Sequence, residues 1–567
     1  MRLALPRGAG ERLLLVLLLL AAFILVLEPG RVPLFEPDEG RYAEIPREML
    51  ASGDYLTPRL NGVLYFEKPP LYYWSVAASM ALLGESELAV RLPGKLAAVG
   101  MVLLAAGFAR RRWGARAGLL SGLVLASSLL VVALARIAII DAMVSFALSA
   151  AAFAFAAFAE ADAAGESRRS RRALYGFHVA CAAAVLLKGL IGVVLPGGAI
   201  VVFTLVTGRW RTLLRVFSPG PVLVFLALAV PWHVAMARRH PDFLQFYFVH
   251  EHFQRFATAE HRRPGPGYYF VGVLLVGFLP WTGFLPRLKE TFPARRAAFR
   301  DHATESFLWV WAVLTLLFFS ASRSKLVPYI EPIWPALGVL LAIGLERARQ
   351  RGARFGVERV VTAIFLGALL VAAAAWGWGA GFLARFGSGA WGLVAFAGLA
   401  AGFFVSLAPG GMLGGASPRG RPRDIVPALA GAWLMFLAGL AILLPGAARW
   451  VTPWPLVSAI LREMRPGDLL VQRGHYVQAV PFYARRLTPV SALGWHELDF
   501  GKTRDGSEGL FPSDAEFTAT WNGPRRVLAV VHRDNVRDFS NPSLGLERPA
   551  ILLGRESEGK HYLLANR

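Results

Sequence analysis

The 567-residue sequence holds one cysteine, Cys181. A single thiol excludes an intrachain disulfide and a cysteine zinc cage. Charge is scarce as well. Asp, Glu, Lys and Arg make up 17% of the chain, against roughly 25% in soluble domains. Acidic residues are the scarcer kind, 38 against 60 Lys plus Arg, for a net charge of +22. There is no Walker A stretch and no glycine fingerprint set between a strand and a helix. That counts against an ATP-driven pump and against direct use of a nucleotide sugar. The glycines of "GLLSGLVLASS" are packing glycines. No internal repeat and no low-complexity tract is present.

Long apolar runs fill the space that charge leaves. The composition is 55% hydrophobic, with a mean hydropathy of +0.48. About 20 apolar residues span a bilayer as a helix. The sequence predicts thirteen spans, near 11–27, 88–108, 117–135, 140–159, 173–187, 190–207, 219–237, 267–285, 304–320, 328–345, 359–381, 389–408 and 425–445. The fold class expected is an all-α polytopic membrane protein. The first run could be a signal peptide. An uncleaved helix is the better reading, because no A-x-A site precedes the acidic loop.

The interruptions sort by charge. Arg110–Arg112 with Arg116, the arginines of 168–172, 209–215, 347–359 and 419–423, and the basic group at 287–296 fall in alternate loops. The positive-inside rule makes these loops cytoplasmic. The same placement argues against nucleic acid and for anionic lipid as the partner of the excess charge. The other loops then face outward: 28–87, 135–141, 187–190, 238–266 and 322–329. Two domains are expected, a transmembrane part over 1–446 and a small α/β domain over 447–567. In the latter "DLLVQ" and "RRVLAVVH" read as strands. Within the 28–87 loop, residues 38–51 and 69–84 read as amphipathic helices lying along the outer interface.

The unusual polar residues gather in the outward set. Asp38 and Glu39 could bind a metal, orient a hydroxyl or act as a base; they could equally be solvated loop carboxylates. In "FEKPP", Glu67 and Lys68 are followed by two prolines that stiffen their presentation. Lys68 suits a lipid phosphate, or the pair anchors the helix that follows. Asp141 opens a predicted span, where an acid is either functional or a first-turn acid favoured by the helix dipole. Lys188 stands alone between two apolar blocks and could simply snorkel outward. "FVHEHFQRF" groups His250, Glu251, His252 and Arg255: a metal and phosphate grip, or a polar juxtamembrane helix. Arg323 and Lys325 run against the positive-inside bias, with Tyr329 beside them. Cations and carboxylates at one membrane face suit an anionic lipid bearing something polar, such as a phosphate-linked sugar.

These residues carry a resemblance. "PDEGRYAEIPREMLASGDYLTPRLNGVLYFEKPPLYYW", "ELAVRLPGKLAAV", "ARIAIIDAMVSF", "LLKGLIGVVLPG", "FVHEHFQRF" and "SRSKLVPYIEPIWPALGVLLA" occur in order from about 36 to 345. The sequence closely resembles the undecaprenyl phosphate aminoarabinose transferase family of the GT-C class, relatives of protein O-mannosyltransferases. The tail matches more loosely, through "VPFYARRLTPV" and "KHYLLANR". The resemblance implies thirteen transmembrane helices, interfacial helices in the first outer loop and a periplasmic C-terminal domain. It makes Asp38 the essential carboxylate and Asp141 the second acid. Lys68 and Arg255 would hold the carrier phosphate. Glu67 and His250 would hold a divalent metal (Zn, Mg or Mn). Lys188, Lys325 and Tyr329 would line the same cavity, and Arg41, Tyr65 and Arg323 join the candidate substrate contacts.

The expected enzyme is a glycosyltransferase of the bacterial inner membrane with its site facing the periplasm. It would use a polyprenyl phosphate sugar, with lipid A or lipopolysaccharide as the first-choice acceptor. Protein O-mannosylation or another envelope glycan transfer is the alternative. The non-enzymatic rival is a lipid-linked sugar flippase, whose sites should lie near the midplane of repeated halves.

Overall fold

A computed structural model describes residues 8–28, 31–248, 265–353, 355–379, 389–407, 425–494, 496–504, 506–540 and 544–567. His250 and Arg255 lie outside the described residues.

The chain is a multi-pass helical membrane protein with a small mixed sheet near its C-terminus. It divides into two compact units. The first comprises Met1–Leu27, Gly94–Arg136 and Ile140–Ile442; the second comprises Glu28–Pro93, Ile137–Ile139 and Leu443–Arg567.

In the first unit every predicted span finds a helix or a helix pair. Seven helices among the described residues are long and apolar enough to cross a bilayer. They are Ala9–Val26, Glu87–Trp113, Asp141–Ala163, Pro219–Arg239, Ala303–Ala321, Val327–Gln350 and Val426–Val451. An eighth is counted if Tyr269–Gly277 and Trp281–Thr291, bent by 106°, form one broken span. The expected count of thirteen is not confirmed among the described residues, where several apolar runs form shorter or broken helices. The run at 117–135 stops at Ser127 and restarts as Leu129–Leu134. Ile191–Thr207 has only 17 residues. Ser167–Lys188 begins on an arginine-rich turn.

Asp141–Ala163 and Ser167–Lys188 form an antiparallel hairpin around an aromatic knot. Phe155 meets Phe158, Phe177, Phe203 and Phe307 at ring-centre distances of 4.6–6.0 Å. Small residues set the closest helix approaches, as in membrane packing generally. A Cβ on Gly398 would lie 2.4 Å from the Phe436 backbone nitrogen, so Gly389–Leu407 and Val426–Val451 touch only because glycine is there.

The second unit joins the loop over 28–87 to the tail. Its sheet runs in the order β4-β3-β5-β7-β6. The strands are β3 (Leu469–Arg473), β4 (Val490–Ser491), β5 (Val527–His532), β6 (Ile551–Arg555) and β7 (His561–Ala565), numbered after a small hairpin, β1 (Arg59–Leu60) and β2 (Val63–Leu64). β3 pairs in parallel with β4 and β5, and β7 runs antiparallel to β5 and β6. Leu470, Leu528, Val530 and Leu563 bury one face against helix Trp454–Glu463, while Val471, Ala529, Val531 and Leu564 bury the other against Phe517 and Trp521. Central strands covered on both sides read as continuous apolar runs, which is how "VLAVV" reads.

The sequence reading divides the chain once, at 446. In the structure, the loop over 28–87 belongs to the same compact unit as the tail. Specific bonds hold it there: Asn61 Nδ2 donates to the Thr488 carbonyl at 2.9 Å, and the Thr488 N–H donates to Asn61 Oδ1 at 2.9 Å.

Both predicted loop helices form, at Asp38–Ser52 and Leu71–Leu83. The first differs from a helix floating on an interface, because its polar side is enclosed. Glu39, Glu44, Arg47 and Glu48 are all buried. Arg47 forks onto Glu44 at 2.6 and 2.7 Å. A Cβ on Gly40 would lie 2.5 Å from the Ala479 backbone nitrogen.

Candidate active site

The second unit carries Asp38, Arg41, Tyr65, Glu67 and Lys68. The neighbours Asp38 and Glu39 have opposite fates. Glu39 is fully buried. Its oxygens accept from the Phe35 N–H at 2.8 Å, the Ala138 N–H at 2.6 Å, and Arg91 Nε and Nη2 at 2.8 and 2.7 Å. Four strong donors leave it no capacity for chemistry. Asp38 opens the helix with 45% of its side chain exposed. Arg41 Nη1 donates to its Oδ1 at 3.1 Å, one helical turn on. The carboxylate is therefore held and accessible.

Arg41 is in turn tied to the tail. Its Nη2 pairs with Glu497, whose Oε1 also accepts from Gln478 Nε2 at 2.9 Å. Burial raises the Glu497 carboxyl, and Arg41 opposes that rise. Asp38, Glu67 and Glu497 all lie within electrostatic reach of Arg41, and the Tyr65 phenol shares their neighbourhood. Tyr65 is buried there.

Lys68 answers why "FEKPP" pairs opposite charges. Its ammonium donates to the Glu67 carbonyl at 2.9 Å and lies 3.8 Å from the Glu67 carboxylate. Both side chains keep a minor exposed fraction, 13% and 18%. Pro70 then stands at the N-terminal boundary of helix Leu71–Leu83. The cation is compactly stored beside its carboxylate.

Glu36 is a residue the sequence reading left out. It is half-buried, accepts the Gln478 and Ala479 N–H groups at 3.2 and 2.6 Å, and is pushed up to about 8, chiefly by desolvation. In the unfolded chain it ionises near 4.5. Between those values the folded protein keeps a proton that the unfolded chain has lost. Stability therefore falls as pH rises from about 4.5 to about 8, then levels off. Glu36→Gln removes this term. The difference in thermal midpoint, mutant minus wild type, grows more positive across that window in a pH series. A difference independent of pH would refute the protonated state.

The first unit carries Asp141, Lys188, Arg323, Lys325 and Tyr329. Asp141 opens one helix and Lys188 closes the next; each has the sign that its helix end favours. They form a close ion pair. The Lys188 ammonium stands 4.7 Å above the Tyr329 ring, a cation–π contact. Two of the expected cavity residues, Lys188 and Tyr329, are thus brought together with Asp141. Lys325 is otherwise employed: it donates to the Ser320 and Ser322 carbonyls, both at 2.8 Å, closing the end of helix Ala303–Ala321. Arg323 is exposed.

Two further residues escaped the sequence reading. Glu331 is fully buried and accepts from the Ser145 hydroxyl at 2.9 Å, within the field of Asp141 and Lys188. Its signal was an acid inside an apolar run, "PYIEPIW". Glu497 gave no local signal.

Among the described residues no group of three His, Cys, Asp or Glu side chains is gathered as a metal cage. Of the expected pair only Glu67 is described, already beside Lys68.

A family model for dolichyl-phosphate-mannose-protein mannosyltransferase matches residues 13–247, and one for the aminoarabinose transferase C-terminal domain matches 456–550. Curated relatives named undecaprenyl phosphate-alpha-4-amino-4-deoxy-L-arabinose arabinosyl transferase include one from Edwardsiella ictaluri, 33% identical over 65% of this chain and 66% of its own length. Another, from Aeromonas salmonicida, is 36% identical over 57% and 58%. The chain thus matches less than two thirds of the length of these relatives. Crystal structures of ArnT from Cupriavidus metallidurans match over 99% of both chains. The form bound to undecaprenyl phosphate gives a TM-score of 0.82 at 29% identity, and the apo form 0.81 at 28%. Two family models toward the two ends of the chain, curated relatives and a full-length fold match agree: the chain is similar throughout to undecaprenyl phosphate aminoarabinose transferases.

Proposed function

We propose that this protein is an integral-membrane glycosyltransferase. It moves a sugar from undecaprenyl phosphate to an envelope acceptor at the periplasmic face of the inner membrane, with lipid A as that acceptor. The carrying observation is the full-length match to a structure bound to undecaprenyl phosphate, joined to an accessible carboxylate at Asp38 and a stored cation at Lys68. The alternation of basic and neutral loops supports the orientation.

In this reading the carrier phosphate leaves the anomeric carbon as its negative charge grows. Lys68 turns from Glu67 toward the phosphate and stabilises that charge, with Arg255 as its partner. A phosphate acceptor is already anionic and needs no strong base. For such an acceptor Asp38 orients the sugar; for a hydroxyl acceptor it takes the proton. Arg41 keeps Asp38 aimed. Asp141 and Lys188, a neutralised pair under Tyr329, supply polar contacts without net charge. Glu67 and His250 would hold a divalent ion that screens the phosphate; the described residues offer one of these two ligands, so no step is assigned to it.

Turnover by the purified protein in lipid tests the proposal. Several polyprenyl phosphate sugars are offered with lipid A, core lipopolysaccharide or peptide, with divalent metal and with chelator. A mass gain on lipid A with the aminoarabinose donor is expected. A gain only on peptide would make the protein an O-glycosyltransferase. Movement of labelled lipid between leaflets without any gain would make it a flippase. In the same assay Lys68→Ala costs about 2–4 kcal/mol of transition-state stabilisation, the worth of one preorganised donor. Lys68→Arg recovers part of this, since it restores charge with different geometry. Equal turnover of Lys68→Ala and wild type would remove Lys68 from the mechanism.

A further inference from the structure

The proposed reaction leaves one buried acid without a task. Glu331 lies in the tight helix Val327–Ile333, at the head of the span Val327–Gln350, and is fully buried. Its segment is pinned: Trp311 Nε1 donates to the Pro332 carbonyl at 2.9 Å. Glu331 Oε2 accepts from the Ser145 hydroxyl at 2.9 Å. Glu331 Oε1 is buried with no hydrogen-bond partner among the described residues. An unmet carboxyl oxygen in apolar surroundings is costly, and an apolar side chain of similar volume would fill the same space without that cost. An ionisable residue inside a span is by default one with a partner and a function.

The geometry names the partner. Asp141 and Ser145 are four residues apart in helix Asp141–Ala163. They therefore share one face, a single turn of about 5.4 Å apart. Lys188 pairs with Asp141 at the first of these positions, and Glu331 bonds Ser145 at the second. Asp141 and Lys188 are the charged groups that act on Glu331. An ammonium carries three donors on a flexible four-carbon stem. That of Lys188 gives one to Asp141 and faces the Tyr329 ring. A shift of one turn carries it from Asp141 to the open oxygen of Glu331. The local charge is the same before and after, and Asp141 is released.

We propose that Glu331 is a positioning residue: it is a second seat for the Lys188 ammonium, taken up when Asp141 turns to a polar group of the substrate. The role during turnover rests on the transfer reaction proposed above; the second seat itself is a property of the chain alone.

A double-mutant cycle on the thermal midpoint of the full-length protein in lipid tests the seat without any substrate. In the wild-type background Glu331→Leu leaves the midpoint unchanged or raises it, because apolar volume replaces an acid with an unmet oxygen. In the Asp141→Asn background Lys188 depends on Glu331, and the same substitution lowers the midpoint. Adding Lys188→Met to Asp141→Asn abolishes that lowering. An equal effect of Glu331→Leu in the wild-type and Asp141→Asn backgrounds would overturn the proposal. If Glu331→Leu does not fold, Glu331→Gln runs the same cycle. Kinetics then separate positioning from packing. Glu331→Gln keeps the volume and an acceptor for Ser145, so a merely structural acid predicts wild-type kcat. The second seat predicts a kcat lowered by up to about 10²-fold, the cost of a misplaced group, with KM for the donor near wild type. Wild-type kcat in Glu331→Gln would also overturn the proposal. Absence of transfer by the wild-type protein refutes the transfer reaction instead, and the cycle alone then decides the seat.

Discussion

Asp38→Asn lowers turnover about 10²–10⁴-fold, the range for a lost acid–base group, and leaves the fold intact. Asparagine keeps an oxygen for Arg41, which donates to Asp38 at 3.1 Å. Almost half of the side chain is exposed, so the substitution buries no new polar atom. Arg41 retains Glu497. Carrier affinity should stay near wild type, because the phosphate is assigned to cations. The loss falls on kcat when the acceptor is a hydroxyl; with a phosphate acceptor it is nearer the lower end of the range. Initial rates by mass spectrometry at varied donor concentration separate these. A variant within about twofold of wild type would return Asp38 to the status of a solvated loop acid. Glu39→Gln is the contrasting control: it fails by destabilising the loop, which a thermal scan reads.

Arg91→Leu costs about 3–5 kcal/mol of stability, the usual result of removing one side of a buried ion pair. Arg91 is 1% exposed. Its five donors are all used: Nε and Nη2 on Glu39, Nη1 on Glu28 at 3.0 Å and the Val32 carbonyl at 2.7 Å, and Nη2 again on the Pro33 carbonyl at 3.1 Å. Leucine leaves the wholly buried Glu39 charged with half its donors gone. The segment 31–37, which leads to Asp38, loses its clamp. Lysine does not rescue fully, since three donors cannot replace a five-donor fork. Arg91→Leu combined with Glu39→Leu should be less damaging than Arg91→Leu alone, because no orphan charge remains. Thermal midpoints together with limited proteolysis of 31–37 measure this. Equal midpoints for Arg91→Leu and wild type would show that the clamp is not what holds the loop.

Part of this architecture is legible in the amino-acid sequence. Apolar run lengths placed the helices, because burial of a run depends on local composition. Arginine placement separated the loops. The apolar character of "VLAVV" marked the central strand. The resemblance gathered Asp38, Lys68, Asp141 and Lys188 as candidates, and Asp141 with Lys188 proved to be one ion pair. Which helices were long enough to count as spans was less legible, because breaks such as that at Ser128 depend on how neighbours pack.

By itself, then, the sequence determined a helical membrane chain with alternating basic loops, a polar first loop over 28–87 and a small α/β tail. Tertiary structure alone decided the roles of adjacent residues. It gave Glu39 to Arg91 and left Asp38 accessible. It set Lys325 on the carbonyls of Ser320 and Ser322. It set Glu36 on the backbone of Gln478 and Ala479, Arg41 on Glu497, and His475 against His561. Lys325 apart, these partners are separated by 52 to more than 440 residues. Periodicity and composition report only a few turns of chain. Hydrogen bonds and ion pairs form between whatever side chains the fold brings within about 3 Å, and that proximity is a property of the packed molecule.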